Sequence, residues 1–509
     1  MTAFTLTGPS ELSVGFAPGN AKRFSVQVVR EGSFTGPVVL SLEGLPTHVG
    51  ADALSLSVPE GENVGGFVLH VQEAAAYGRF PIRVVGEGQG ERVELPVMVE
   101  VQPGQGALDV SLGSAGLALP ALGQGPLRVS INAMAVQPDG TWVLAGSTGS
   151  TGSRDVLVAR LLPDGTPDVS FGTQGTRVID VCGGDDYVDA VTVLSDGRIV
   201  LAGGAISDTN SCTARNYQSL LLVRLTDTGA LDTTFGTNGV RTFQLSAGNA
   251  ALHALAVDSR DRIVGAGTVQ NTDRDQVLVR LLPTGQLDTT FSGDGLAWED
   301  IGGDDEGLGV VALLDDALLL AGTTASHVHG LTLRRYQVNG ERDRTFNYAP
   351  PAHSTPKLTP RTLHLLEGGK LLVGTRAVFS SGASDTAAGL LLVGTTGALE
   401  TSFGTLGSRY FVSVEGQLRD VLVGTGLLPG GEIALSTVVR DAAGEPGLGL
   451  IHVSADGQRE LRKHRSELPG SERPTVSRLD AEGFFRVAGL HTAPGQAVET
   501  PFVARFWPY

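Results

Sequence analysis

Two short acidic stretches have the residue types to hold a divalent cation, Gly183-Gly184-Asp185-Asp186 and Gly302-Gly303-Asp304-Asp305-Glu306. Adjacent carboxylates supply the hard oxygen ligands that calcium takes. His327-Val328-His329 follows the second stretch, and its i, i+2 spacing sets two imidazoles on one strand face, as zinc ligands require. Asp185, Asp186, Asp304 and Asp305 are therefore the candidate ligand-binding residues. His327 and His329 are the candidate metal ligands, and calcium or zinc the ion. Neither spacing completes a metal motif, so solvated turns and two surface histidines, with no cofactor, is the competing reading. Asn271-Thr272-Asp273-Arg274-Asp275 has half the acids of a calcium loop but lacks its glycine and distal glutamate. Cys182 and Cys212 are the two cysteines. With no third, a cysteine zinc site has too few thiolates, and the pair reads as a disulfide or as two free thiols. For catalysis the chain offers no Gly-x-Ser-x-Gly elbow before a helix, no His-Glu-x-x-His and no P-loop. Carboxylates converging from distant parts of the chain, as a glycoside hydrolase uses, would leave no local signature.

A second constellation is structural. An arginine stands eight residues before an aspartate in Arg160 and Asp168, Arg224 and Asp232, Arg280 and Asp288, and Arg335 and Asp343. Where the arginine gives way to Leu392 or His452, the acid is glutamate, Glu400 or Glu460. Across a short hairpin the two positions face each other, so the pair would fix register. On a surface each pair would contribute about 0–1 kcal/mol. Asp109 and Arg505 have no such partner along the chain. They are expected to pair with each other, with residues 106–112 as the outer strand beside inner strands from 474–509.

These acids belong to a phrase, Leu231-Asp232-Thr233-Thr234-Phe235-Gly236, that returns in altered form every 55 to 64 residues. Seven copies are legible, the last badly worn at Glu460. One unit reads as four short strands: Leu252–Val257, Arg262–Gly267, Gln276–Leu281 and Leu287–Phe291. Turns such as Pro138-Asp139-Gly140 and Pro283-Thr284-Gly285 separate them. A small pair recurs in the second strand, as in Ala145-Gly146, Ala202-Gly203 and Ala266-Gly267, and is expected to let neighbouring sheets pack closely. Four-stranded repeats of this period predict an all-β fold, a seven-bladed propeller over 106–509 closed by its own two ends.

Residues 1–102 follow a different rhythm. Arg23–Val29, Pro37–Leu42, Gly66–Val71 and Val93–Val99 alternate apolar and polar positions between Gly, Pro and Asn turns. About seven strands fit, the size of an immunoglobulin-like sandwich without the Cys and Trp marks of antibody domains. Phe34-Thr35-Gly36-Pro37-Val38-Val39-Leu40 through Pro46 resembles bacterial Ig-like modules of secreted and surface proteins. Residues 103–105 read as a linker. The phrase, with its Arg-Leu-Leu-Pro-Asp-Gly and Ala-Val-Gln-Pro-Asp-Gly turns, resembles the delta-60 repeat family of bacterial propellers over 106 to about 457. That resemblance implies seven blades and export or surface placement, and no known reaction.

Composition narrows the function. Seventy Gly and 25 Pro with only 18% charged residues suit short strands and tight turns. A net charge of −17 without a basic stripe argues against nucleic acid. No apolar run reaches the roughly 18 residues of a membrane helix. Met1-Thr2-Ala3-Phe4 opens directly into strand pattern, so the protein is cytosolic or its signal has been removed; with the family resemblance, an extracellular, cell-surface or periplasmic place is expected. The variable loops 205–216, 269–275, 377–385 and 490–500 fall on one face of the ring, the expected binding face. The reading is a non-catalytic recognition or adhesion protein that binds a protein or glycan. A metal-assisted polysaccharide hydrolase or lyase is the alternative, followed by a purely structural scaffold.

Overall fold

The computed structural model describes residues 3–15, 21–71, 78–102, 108–109, 112–113, 116–122, 128–181, 183–207, 217–245, 248–313, 315–325, 330–350, 356–379, 386–411, 421–428, 430–440, 446–466, 471–480, 482–492 and 499–506. It has two compact units, Met1–Ala107 and Leu108–Tyr509. Among the described residues no helix is long and apolar enough to cross a membrane.

Alternation builds the first unit. In Lys22–Arg30 the residues Phe24, Val26 and Val28 are buried between exposed neighbours, the mark of a strand with one face on a core. Phe4–Thr7, Lys22–Arg30, Val64–Val71 and Val49–Ala51 make one sheet. Glu11–Gly15, Glu91–Gln102, Gly78–Gly88, Val38–Glu43 and Ser55–Val58 make the other, in which Glu11–Gly15 runs parallel to its neighbour. Both sheets feed one core, where Phe4 stacks on Phe34 at 5.5 Å. The unit is a β-sandwich.

The second unit is a β-propeller, with six sheets of four strands and one of three among the described residues. The inner strands are Val129–Val136, Gly183–Val193, Ala250–Val257, Asp305–Ala312, Lys357–Leu365, Val421–Leu427 and Ser471–Leu479. Each touches the next, and the last touches the first; the sheets are numbered one to seven in this order. Apolar side chains fill the space between consecutive sheets, as where Val143 and Val156 of the first meet Val188 and Leu221 of the second.

Two strand positions differ from expectation. The fourth strands Thr176–Ile179, Val240–Phe243, Leu296–Glu299 and Ser408–Phe411 lie downstream of the phrase and not on it, whereas Glu460–Ser466 in the sixth sheet begins on the phrase acid. The phrase itself is a turn, because Asp232 Oδ1 accepts from Thr234 N at 3.0 Å and Thr234 Oγ1 at 2.6 Å. That local closure withdraws the backbone from sheet pairing. The ring closes by the same rule. Leu117–Ala118, and not 106–112, is the paired outer strand beside Glu499–Phe506; Leu108 adds one bridge to Phe506, and Asp109 N donates to Arg505 O at 2.8 Å.

The arginine and aspartate pairs also do more than set a hairpin. Arg224 Nε donates to Asp232 Oδ2 at 2.8 Å and Nη2 to Thr234 Oγ1 at 3.0 Å, while Nη1 reaches the Pro283 carbonyl in the next sheet. Its guanidinium lies 4.7 Å over the Phe235 ring. Arg280 repeats this with Asp288 at 2.8 Å, Thr290 at 3.3 Å, the Val338 carbonyl at 2.6 Å and Phe291 at 4.6 Å. Arg160 bonds Asp168 at 2.7 Å and the Asp227 carbonyl. At the seam between the chain's two ends, Arg505 bonds Asp109 at 2.8 Å and the Pro163 carbonyl at 3.0 Å. Arg224 and Arg280 are each 1% exposed, so the surface pairs expected from sequence are buried staples between sheets. The next sheet's turn lies on the guanidinium and excludes water. Sheet four departs: Arg335 is 3.7 Å from Asp343 and 2.7 Å from Asp315, and no fourth strand pairs there among the described residues.

Candidate functional site

Each inner strand carries a β-bulge at an equivalent residue, and that of sheet two has a second irregularity between Gly183 and Asp186. Pairing skips between Ile131 and Ala133, Val188 and Ala190, Leu252 and Ala254, Gly307 and Gly309, Pro360 and Thr362, Leu422 and Gly424, and Pro474 and Val476. The residues left out are Asn132, Asp189, His253, Leu308, Arg361, Val423 and Thr475. All seven line a single cavity of about 620 Å³ among the inner strands. A bulge leaves its extra residue unpaired and re-aims the side chain, so each repeat delivers one residue to the lumen.

The small pair in the second strand accommodates this bulge. A Cβ on Gly146 would stand 1.9 Å from the Ser130 carbonyl oxygen, and one on Gly203 would stand 2.0 Å from that of Tyr187. Those carbonyls belong to the inner strand of the same sheet. The glycine serves the hairpin within one sheet first and, where sheets three and four meet, the packing between sheets that the sequence suggested as well, since a Cβ on Gly322 would also stand 2.6 Å from Gln276 Nε2 of sheet three.

The lumen has two chemically different arcs. Asn132 Nδ2 donates to Asp189 Oδ1 at 3.1 Å and to the Val188 carbonyl at 3.0 Å, and Asp189 Oδ2 lies 3.0 Å from His253 Nδ1. Sheets one to three thus contribute a hydrogen-bonded Asn, Asp and His. The other arc is cationic. Arg361 comes from sheet five, and Arg478, three residues beyond the bulge, from sheet seven. Both side chains are open to channel water yet surrounded by protein. Desolvation lowers both guanidinium pKa values, and for Arg361 the nearby Arg376 adds to it. Arg478 Nη1 donates to the Ser477 carbonyl at 3.0 Å. Among the described residues neither arginine has a carboxylate at ion-pair distance. His364 lies 2.7 Å from Thr425 Oγ1, and burial, then Arg478, pushes its pKa down to about 4, so the imidazole is neutral near pH 7.

The acidic stretches divide within each pair. Asp185 accepts from Gly152 N at 2.7 Å, Arg154 N at 3.0 Å and Arg154 Nη2 at 3.0 Å. Asp304 accepts from Arg274 N at 3.3 Å and Nη2 at 3.1 Å. These two acids are occupied in holding the hairpin of the preceding sheet. Asp186 and Asp305 are wholly buried and turn toward other acids: Asp155, Asp180 and Asp186 lie together, as do Asp273, Asp275 and Asp300 with Asp305 beside them. Sequence adjacency pointed to the wrong partners, because Asp155 and Asp275 come from the third strand of the preceding sheet. Cys182, Cys212, His327 and His329 lie outside the described residues.

The sequence matches a family model described as a domain of unknown function (DUF5122) beta-propeller over residues 137–171, 194–235 and 261–291. Each match ends on the phenylalanine of the phrase, Phe171, Phe235 or Phe291. No curated protein matches. Among solved structures the chain is similar to polysaccharide lyase Uly1, at 10% identity over 77% of this chain and 92% of that one, with a TM-score of 0.43. It is similar to a glucose dehydrogenase at 13% identity over 76% and 99%, TM-score 0.34. An endo-arabinase from Bacteroides thetaiotaomicron is similar at 12% identity over 50% and 93%, TM-score 0.29.

Proposed function

We propose that the second unit is a seven-bladed propeller of the delta-60 kind whose channel binds an anionic group, a carboxylate or sulfate on a glycan. The chain then serves as a recognition or adhesion protein outside the cell, with an immunoglobulin-like sandwich in residues 1–102 as spacer and residues 103–105 as linker. One observation carries this reading: Arg361 and Arg478 face the lumen with no carboxylate partner among the described residues, in a chain whose net charge is −17. Both guanidinium groups are exposed to the lumen, where an oxyanion ligand would give them charge-assisted hydrogen bonds. The test is a glycan array with the full chain, followed by calorimetry on the best ligand. Uronate-bearing or sulfated glycans should bind, and Arg361→Met or Arg478→Met should weaken binding by roughly tenfold or more. Exclusive binding of neutral glycans, or full affinity in both variants, would defeat the proposal.

A second reading rests on Asp189 and His253. A carboxylate at 3.0 Å from Nδ1 orients an imidazole and leaves the lone pair of the neutral ring on Nε2, the arrangement of a general base. With an arginine to neutralise a uronate carboxylate, that base could remove the proton beside it and eliminate the glycosidic oxygen. Ultraviolet absorbance from an unsaturated uronate product, lost in His253→Ala, would favour the lyase over the binder.

A further inference from the structure

Where sheet three meets sheet four, four aspartates crowd a junction that the channel reading does not use. Asp275 sits on the third strand of sheet three, Arg274–Leu281, and Asp273 just before it. Asp300 follows the outer strand Leu296–Glu299, and Asp305 begins the inner strand of sheet four. Carboxylate oxygens of Asp273, Asp275 and Asp300 all lie within 4.8 Å of one another. Two oxygens bound to one calcium at about 2.3–2.6 Å can be no more than roughly 5 Å apart, so this spacing fits a shared ion.

The hydrogen bonding leaves room for it. Asp275 is 7% exposed; its Oδ2 accepts from Asn271 Nδ2, while its buried Oδ1 has no hydrogen-bond partner among the described residues. Asp305 is 0% exposed; its carboxylate is hydrogen-bonded by Thr324 and, on Oδ2, by Ile301 N at 2.6 Å, while its Oδ1 has no close hydrogen-bond partner among the described residues. The nearby cations pair elsewhere, Arg274 with Asp304 and Glu306, and Arg334 and Arg342 with Glu299. Burial first, then the neighbouring acids, raise the pKa values of Asp275 and Asp305. Folding alone does not need this crowding. At the junction of sheets two and three, Ser219 and Ala250 stand where Asp275 and Asp305 stand here.

We propose that Asp273, Asp275 and Asp300, with Asp305 beside them, form a calcium site that pins sheet three to sheet four. An all-oxygen ligand set favours calcium over zinc. Asp155, Asp180 and Asp186 repeat the arrangement between sheets one and two, so the full chain can carry more than one ion, and the test reads a difference. The full chain is stripped with chelator and titrated with CaCl₂ by calorimetry, with bound metal counted by mass spectrometry. Asp275→Asn and Asp300→Asn should each bind one calcium fewer than wild type, and the calcium-induced rise in Tm should shrink. Should Asp275→Asn fail to fold, Asp300→Asn decides, because Asp300 is exposed. Unchanged calcium stoichiometry in the folded variants, no calcium uptake by wild type at about 10 mM, or uptake of magnesium alone would overturn the site. No glycan enters this measurement, so its failure and that of the channel reading are separate.

Discussion

Arg280 and Arg478 show what one residue type does in two regions of the same ring. Arg280, between sheets three and four, has Asp288 on Nε, Thr290 on Nη2, a carbonyl on Nη1 and an aromatic ring beneath it. Arg478, in the channel, has one backbone carbonyl and an exposed guanidinium. The first is consumed by the fold and recurs wherever a seam must be held. The second is left unmatched by the fold and is open to a ligand. A charged group whose donors are all matched reports on architecture, and one whose donors are not reports on a ligand.

That contrast can be broken at several points. Arg280→Ala leaves buried Asp288 with only the longer contact to Arg262 Nη1 at 3.4 Å, and should cost the propeller about 2–4 kcal/mol in urea unfolding. A loss below about 1 kcal/mol would make the staple an ordinary surface pair. Arg505→Ala opens the seam between the propeller's two ends and removes the guanidinium bonds of Asp109, which is 1% exposed; about 2–3 kcal/mol is expected, in the propeller transition and not that of the sandwich.

Acid gives a smaller effect with a definite sign. Desolvation opposes ionisation of Asp232, but the bonds from Thr234 and Arg224 prevail and hold its folded pKa at about 2, below 3.8. An acid with a depressed folded pKa stabilises fully above its unfolded pKa and loses that contribution as pH falls through the folded value. Propeller stability should therefore drop on the order of 2 kcal/mol between pH 4 and 2 from this group, and Asp232→Asn should flatten that limb. His364 works higher. Its folded pKa near 4 lies below the unfolded 6.5, so the unfolded chain takes the proton first and stability declines from about pH 6.5 toward 4. His364→Gln should remove that decline. Smallest of all is Arg478→Met, which should leave Tm unchanged or raise it, because it removes an uncompensated charge. A large loss would place Arg478 with the staples.

The repeat was legible because every copy keeps an acid, five keep the phenylalanine three residues on, and four an arginine eight residues upstream, and the pairing of Asp109 with Arg505 follows from the two copies left incomplete. Strand boundaries were less so. Asp232-Thr233-Thr234 reads as strand by its threonines, yet the aspartate side chain folds the backbone into a turn. The channel residues were hidden for a different reason. Asn132, Asp189, His253, Leu308, Arg361, Val423 and Thr475 share no chemistry, only a place on a bulge. Their one sequence mark is a count: Asn132, Asp189, His253, Leu308 and Thr475 each stand fourteen residues before the glycine of the small pair. Asp185 and Asp186 were visible as acids, but alternation along a strand sends them opposite ways, one to Arg154 and the other to Asp155 and Asp180.

The channel can be questioned most directly by diffraction from crystals of the full chain grown in selenate, whose selenium scatters anomalously and whose charge and shape stand in for sulfate. The account predicts an anomalous peak inside the ring against Arg361 or Arg478, weakened or lost in Arg478→Met. Selenate bound on the outer surface with the lumen empty of it, or a lumen peak indifferent to both arginines, would contradict the account.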